Sequence, residues 1–280
     1  MNNIGVIGAG TMGNGIAHVC ALSGFNTYLL DLNEDYLKRG LETIENNLRR
    51  QVKKEKISQI EMDMAFEKIK FTIDYNNLSV CDVVIEAATE NQSIKEKIFK
   101  SIDAACKADA ILATNTSSIS ITAIAKKTKR PEKVIGMHFM NPVPIMKLVE
   151  VVRGNKTDDD TTNRILALSK KMGKTPVECN DSPGFVTNRI LMPMINESIY
   201  CLMEGVGTKE AIDEIMQLGM AHPMGPLMLA DLIGLDVCHD ILQVLYTDLA
   251  NDKYLPCPLL KQMILEGRLG RKTGHGFYQY

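Results

Sequence analysis

Over the first two thirds of the chain, short apolar runs alternate with stretches of helical period; beyond that, only the helical period continues. Residues 4–7 form an unbroken apolar run, as a strand covered on both faces requires, and residues 11–23 follow with a helix-period pattern. The same alternation predicts strands at 27–31, 69–73, 82–88 and 110–114, and again at 133–139, 146–152 and 175–178. Between them lie predicted helices at 34–56, 93–106, 119–125 and 158–172, with Ser58 capping a shorter one and Gly173 stopping the last. The clearest break is residues 179–184. After it the pattern predicts helices only, at 185–204, 209–218, 226–249 and 258–266. Strands that alternate with helices predict an α/β fold with a mostly parallel sheet. The reading is therefore a Rossmann-type domain over residues 1–182 followed by an all-α domain over 183–280.

The first strand opens into Gly8, Gly10 and Gly13, spaced Gly-x-Gly-x-x-Gly. Gly8 allows the tight turn, Gly10 lets the backbone approach a pyrophosphate, and Gly13 lets helix and strand pack closely, with the phosphates at the positive end of the helix. Alone this spacing is weak, but the second strand ends in Asp31, near the roughly 20-residue spacing of an acid that holds a ribose. That acid favours NAD. Asn33 and the neighbouring loops leave room for a phosphate, so NADP stays open. The competing reading of Asp31 is a cap on the next helix.

A chain of 280 residues is long for one domain and ample for a real core. Hydrophobic residues make up 45% and charged residues 24%, and the net charge of −2 gives no reason to expect nucleic acid or a membrane as partner. No apolar stretch has membrane-helix length and the first strand starts almost at Met1, so the expected compartment is the cytoplasm. Seven scattered cysteines without a Cys-x-x-Cys read as buried apolar residues, not as disulfides or a metal site. Arg49, Arg50, Lys53, Lys54 and Lys56 crowd the end of the second predicted helix, either as a solvated face or as an anchor for a phosphorylated ligand. Long apolar side chains on the C-terminal helices, many of them methionine, predict pairing with a second copy.

In open α/β sheets ligands lie beyond the carboxyl ends of strands, which directs attention to Ala88, Glu90 and the nearby Lys95, and to Asn115 and Ser117 after the next strand. A surface lysine and a helix-capping cluster are the plainer readings. His138 lies near the end of one strand and Glu150 on the next, joined by a turn carrying Asn141 and two prolines. A histidine braced by a carboxylate is fixed in tautomer and made more basic, as proton abstraction from a hydroxyl requires; a histidine satisfied in the core is the alternative. Asn188, early in the all-α part, is placed to reach back toward the cleft, and His275 has no evident role.

These residues sit within IGVIGAGTMGNGIA, VIEAATEN, TNTSSI, GMHFMNPVPIMKLVEVVRG, DSPGFVTNRIL, HPMGPL and KTGHGFY. Through them the chain resembles the 3-hydroxyacyl-CoA dehydrogenases nearly end to end, and most of all the short-chain bacterial members acting on 3-hydroxybutyryl-CoA. The resemblance implies NAD(P)-linked interconversion of acetoacetyl-CoA and 3-hydroxybutyryl-CoA, with reduction as the butyrate-forming direction. It implies His138 as acid/base, Glu150 as its partner, Ser117 and Asn188 on the substrate oxygens, and Asn141 near the nicotinamide. Asp31 then holds the adenosine ribose, Met12, Ala88, Glu90 and Lys95 contact the cofactor, and Arg50 and Lys54 face the CoA phosphates. From the apolar helical part, independently of the resemblance, a homodimer or dimer of dimers is expected. Met140 and the segment before His222 depart from the usual pattern, which bears on the acyl pocket. The competing readings are a dehydrogenase of free β-hydroxyacids and a non-catalytic dinucleotide-binding protein.

Overall fold

The computed structural model describes all 280 residues, which divide into two compact units, Met1–Ser182 and Pro183–Tyr280. In the first, β1 (Asn3–Ile7), α1 (Thr11–Leu22), β2 (Asn26–Leu30), α2 (Glu34–Lys53), α3 (Gln59–Glu67) and β3 (Ile69–Thr72) form one half. The other half is β4 (Val83–Glu86), α4 (Gln92–Ala105), β5 (Ile111–Thr114), α5 (Ile121–Ala125), β6 (Val134–Phe139), β7 (Leu148–Arg153), α6 (Asp159–Lys171) and β8 (Thr175–Asn180). The strands make one eight-stranded sheet in the order β3-β2-β1-β4-β5-β6-β7-β8, parallel except for the β6–β7 pair. Every residue of β4, β5 and β6 is buried, which is why these segments are near-continuous apolar runs. The chain departs from β1 to β2 on one side and later to β4 on the other, so a crevice opens at the carboxyl ends of β1 and β4.

Helix ends explain most boundary differences from the sequence reading. Asn33, not Asp31, caps α2, accepting from the amide of Tyr36 at 3.0 Å. Ser58 and Glu61 form a reciprocal capping box on α3. The basic helix expected to reach residue 56 stops at Lys53, because Glu55 turns left-handed at φ 53° and Lys56 bonds back to the carbonyl of Gln51. β8 runs to Asn180, two residues past its expected end, since its pairing with β7 continues through Arg153.

The second unit holds α7 (Thr187–Met203), α8 (Lys209–Met220), α9 (Pro226–Ile233), α10 (Leu235–Leu249) and α11 (Pro258–Leu265) around a core that includes Met192, Ile199, Leu227, Leu242 and Phe277. The single helix expected over 226–249 is two, broken at Gly234, whose φ of 107° no helix accommodates. The carboxylate of buried Asp231 accepts from the amides of Phe277 and Tyr278, both at 2.9 Å, and from the Tyr280 hydroxyl at 3.1 Å, which fastens the C-terminal tail to α9. No helix is long and apolar enough to cross a membrane.

Candidate active site

The turn from β1 to α1 is shaped by its glycines. Gly8 lies at φ 97°, and a Cβ there would sit 2.6 Å from the Ala87 carbonyl oxygen; one on Gly13 would sit 1.7 Å from that of Gly8. Gly10 differs: a Cβ there meets nothing within 4 Å, so its absence leaves open space above the turn. Gly10 is also the N-cap of α1 and offers no side-chain acceptor, which leaves the amides of the first turn for a ligand. A groove of about 850 Å³ begins here, with Gly10, Asp31, Tyr36, Ala88, Asn141 and Pro144 among its walls. Asp31 is held at its edge, accepting from the amides of Ala9 and Leu32, each at 2.6 Å. An open glycine, unused helix amides and a fixed carboxylate in one groove fit a dinucleotide. Met12 is half-buried and packs against the core beside this turn.

Beyond β4 the structure joins Ala88, Glu90, Lys95 and Ser117, all expected from the sequence, to Glu86 and Thr114, which were not. Glu86 ends the strand fully buried and accepts from the Ala88 amide at 2.8 Å and the Thr114 hydroxyl at 2.7 Å. Lys95 is 2% exposed; its ammonium lies 2.8 and 2.7 Å from the two Glu86 oxygens and 3.5 Å from Glu90. It is therefore an interior ion pair, not an exposed surface lysine. One oxygen of Glu90 accepts from the Thr116 hydroxyl at 2.6 Å and from the amides of Ser117 and Ser118 at 2.8 and 3.1 Å. Desolvation pushes the Glu90 carboxyl up, but the Lys95 charge and these hydrogen bonds outweigh it and hold it below the usual carboxylate range. Glu86 lay in an apolar strand with no spacing signal. Its partners come from β5 and α4, which only folding brings near.

The third part stands at the antiparallel pair. His138 and Glu150 are register partners on β6 and β7, so their side chains share a face, and His138 Nδ1 lies 2.6 Å from Glu150 Oε2 with both residues buried. The pairing follows from a turn joining two adjacent strands, as the sequence suggests. The Asn115 side-chain oxygen accepts from the Phe139 amide at 2.9 Å, tying the loop of Ser117 to the strand end carrying His138. Asn141 comes next, exposed on the groove wall. Lys174, which the sequence reading missed, donates to the carbonyls of Val143 and of Met146 (2.8 Å for the latter) and so fastens the turn after Asn141.

The remaining candidates lie elsewhere. Arg50 is exposed on the last turn of α2, bonded to the Asn47 side chain, and Lys54 is exposed just past the helix end. Asn188 is buried in the first turn of α7, in the second unit.

Known proteins resemble this chain over its whole length. The profile described as 3-hydroxyacyl-CoA dehydrogenase, NAD binding domain, matches residues 3–182, and that of the C-terminal domain of the same family matches residues 184–280. A probable 3-hydroxybutyryl-CoA dehydrogenase of Deinococcus radiodurans is 54% identical over 99% of both chains. A 3-hydroxybutyryl-CoA dehydrogenase of Bradyrhizobium diazoefficiens is 53% identical over 100% of this chain and 96% of its own. The crystal structure of an (S)-3-hydroxybutyryl-CoA dehydrogenase from Ralstonia eutropha superposes with a TM-score of 0.97 at 49% identity, covering 100% of this chain and 99% of that one. The two profiles together span the chain and the likenesses run its full length: the chain belongs to the NAD-binding 3-hydroxyacyl-CoA dehydrogenase family.

Proposed function

We propose that the protein interconverts acetoacetyl-CoA and 3-hydroxybutyryl-CoA, with His138 as acid/base and Glu150 as its partner. The observation that carries the proposal is the 2.6 Å contact between His138 Nδ1 and Glu150 Oε2 at the strand end next to the groove. With Nδ1 committed to the carboxylate, Nε2 is the ring atom that exchanges the proton, and Glu150 stabilises the imidazolium that results. Bound NAD supplies the hydride acceptor for carbon 3 of the hydroxyacyl chain, and NADH the donor in reverse. In oxidation, His138 takes the proton of the 3-hydroxyl as the carbonyl forms; in reduction, it returns that proton to the oxygen. Ser117 and Asn188 hydrogen-bond the same oxygens and orient carbon 3, while Asn141 borders the nicotinamide. The glycine turn, Met12, Ala88, Glu90, Lys95 and Asn115 hold the cofactor.

Asp31 sets the preference for NAD over NADP, since a 2′-phosphate would meet a carboxylate. Arg50 and Lys54 face the CoA phosphates. The four-carbon substrate is supported by the relatives, which are named as 3-hydroxybutyryl-CoA dehydrogenases. Exposed Ile215, Leu218 and Leu265 in the second unit suit self-association as a homodimer or dimer of dimers, and the setting is cytoplasmic.

The test is consumption of NADH with acetoacetyl-CoA, run beside free acetoacetate and beside NADPH. Turnover confined to the thioester, with NADH preferred, is the expected result. Equal turnover of the free acid would assign the protein to β-hydroxyacid oxidation, and no turnover at all would leave only a dinucleotide-binding role.

A further inference from the structure

We propose that Glu86, buried below the groove, is a positioning residue that sets the Ser117 loop through Lys95 and Glu90. The inference rests on the proposed role of Ser117 in substrate orientation. The chain of contacts is continuous: Glu86 to Lys95 at 2.7 and 2.8 Å, Lys95 to Glu90 at 3.5 Å, and Glu90 to the Ser117 and Ser118 amides at 2.8 and 3.1 Å. Its ends differ in environment. Glu86 is wholly buried on a central strand, whereas the Glu90 side chain is 41% exposed on the loop after it.

The direction of control follows from charge. Lys95, at 2% exposure, has two carboxylates as counter-charges, and it lies closer to Glu86 than to Glu90. While Glu86 balances most of the ammonium, Glu90 stays turned toward its five donors on residues 116–118. Without the Glu86 charge, Glu90 becomes the sole counter-ion of a buried cation, for which an unpaired state costs several kcal/mol. The ammonium then draws the Glu90 carboxylate to itself and away from those donors. The Ser117 and Ser118 amides lose their acceptor and the loop loosens. Thr114 and the Ala88 amide, both bonded to Glu86, keep that carboxylate from turning instead.

Glu86→Gln tests the proposal, since it keeps the shape and removes the charge. Amide hydrogen exchange over residues 116–118 is expected to quicken about tenfold or more, with exchange in β6 unchanged. The kcat for acetoacetyl-CoA reduction is expected to fall about 10- to 100-fold, the range that slight misplacement of a reacting group produces. Combined with Lys95→Met, the substitution should lower kcat no further than Lys95→Met alone, because both act through one chain. If Glu86→Gln does not fold, Glu86→Asp, which retains the charge but withdraws it, should quicken the same exchange severalfold. Unchanged exchange at residues 116–118 in either variant, or effects on kcat that multiply in the double variant, would overturn the proposal even if melting temperature falls. Absence of turnover in the parent enzyme refutes the dehydrogenase reading alone, and exchange then judges the Glu86 chain by itself.

Discussion

At the scale of the residue, the site separates groups that act from groups that shape. His138→Gln removes the titrating nitrogen and retains a polar side chain of similar reach. Loss of general acid-base catalysis predicts a fall in kcat of about 10² to 10⁴, with the affinity for NADH, measured by fluorescence titration, unchanged. Near-normal turnover would detach His138 from the chemistry. The fingerprint glycines divide in the same way. A methyl group on Gly13 would overlap the Gly8 carbonyl, so Gly13→Ala must push α1 from β1 and lower the melting temperature. On Gly10 a methyl group meets no protein atom within 4 Å. Gly10→Ala should therefore melt within about 0.5 kcal/mol of the parent, as substitutions clear of packing do, and still bind NADH more weakly. If both variants melt alike, that division fails. The His138–Glu150 pair was legible because one turn joins their strands. Glu86, Thr114 and Lys174 were not, because each depends on a partner from another part of the chain: Lys95 is 9 positions from Glu86, Glu86 is 28 from Thr114, and Val143 is 31 from Lys174.

At the scale of the element, apolar runs and helical periods located nearly every strand and helix, and the errors fell at ends and breaks. A hydrophobic period does not reveal that Glu55 turns left-handed, nor that Gly234 divides one amphipathic stretch into α9 and α10. Those outcomes depend on which backbone groups find partners after packing. Asp231 shows this best, a lone acid in an apolar helix whose purpose appears only when the tail closes on it. Asp231→Ala strands the buried Phe277 amide and the half-buried Tyr278 amide, each worth about 1–3 kcal/mol when left unpaired. Denaturant unfolding should show a loss of about 2–6 kcal/mol on that basis, with proteolysis entering within residues 270–280 first. Native stability in this variant would mean that the tail is held by something else.

At the scale of the whole molecule, one buried group links stability to pH. His18, 1% exposed on α1, is lowered from 6.5 to about 4, by burial first and by the Lys174 charge, with Gln51 opposing. Its folded pKa lies below the unfolded one, so the unfolded chain binds the proton more readily between these values. Stability is thus complete above about pH 6.5 and declines as pH falls toward 4, with about 2 kcal/mol lost by pH 5 from this residue. His18→Gln should reduce the acid sensitivity of the denaturation midpoint between pH 7 and pH 5 by that amount; an identical slope would place the sensitivity elsewhere.

Sequence alone sufficed for the class of fold, the dinucleotide turn, the acid at Asp31 and the histidine–carboxylate pair, because each is local or joined by one connection and leaves its mark in spacing. Tertiary structure decided that Lys95 is an interior ion pair and that Asn33, not Asp31, caps the second helix. It also brought Glu86, Lys95 and Glu90 into a single chain of charge. Those are properties of burial and of partners distant along the chain. An ion's surroundings, unlike its position in a pattern, exist only once the sheet has closed over it.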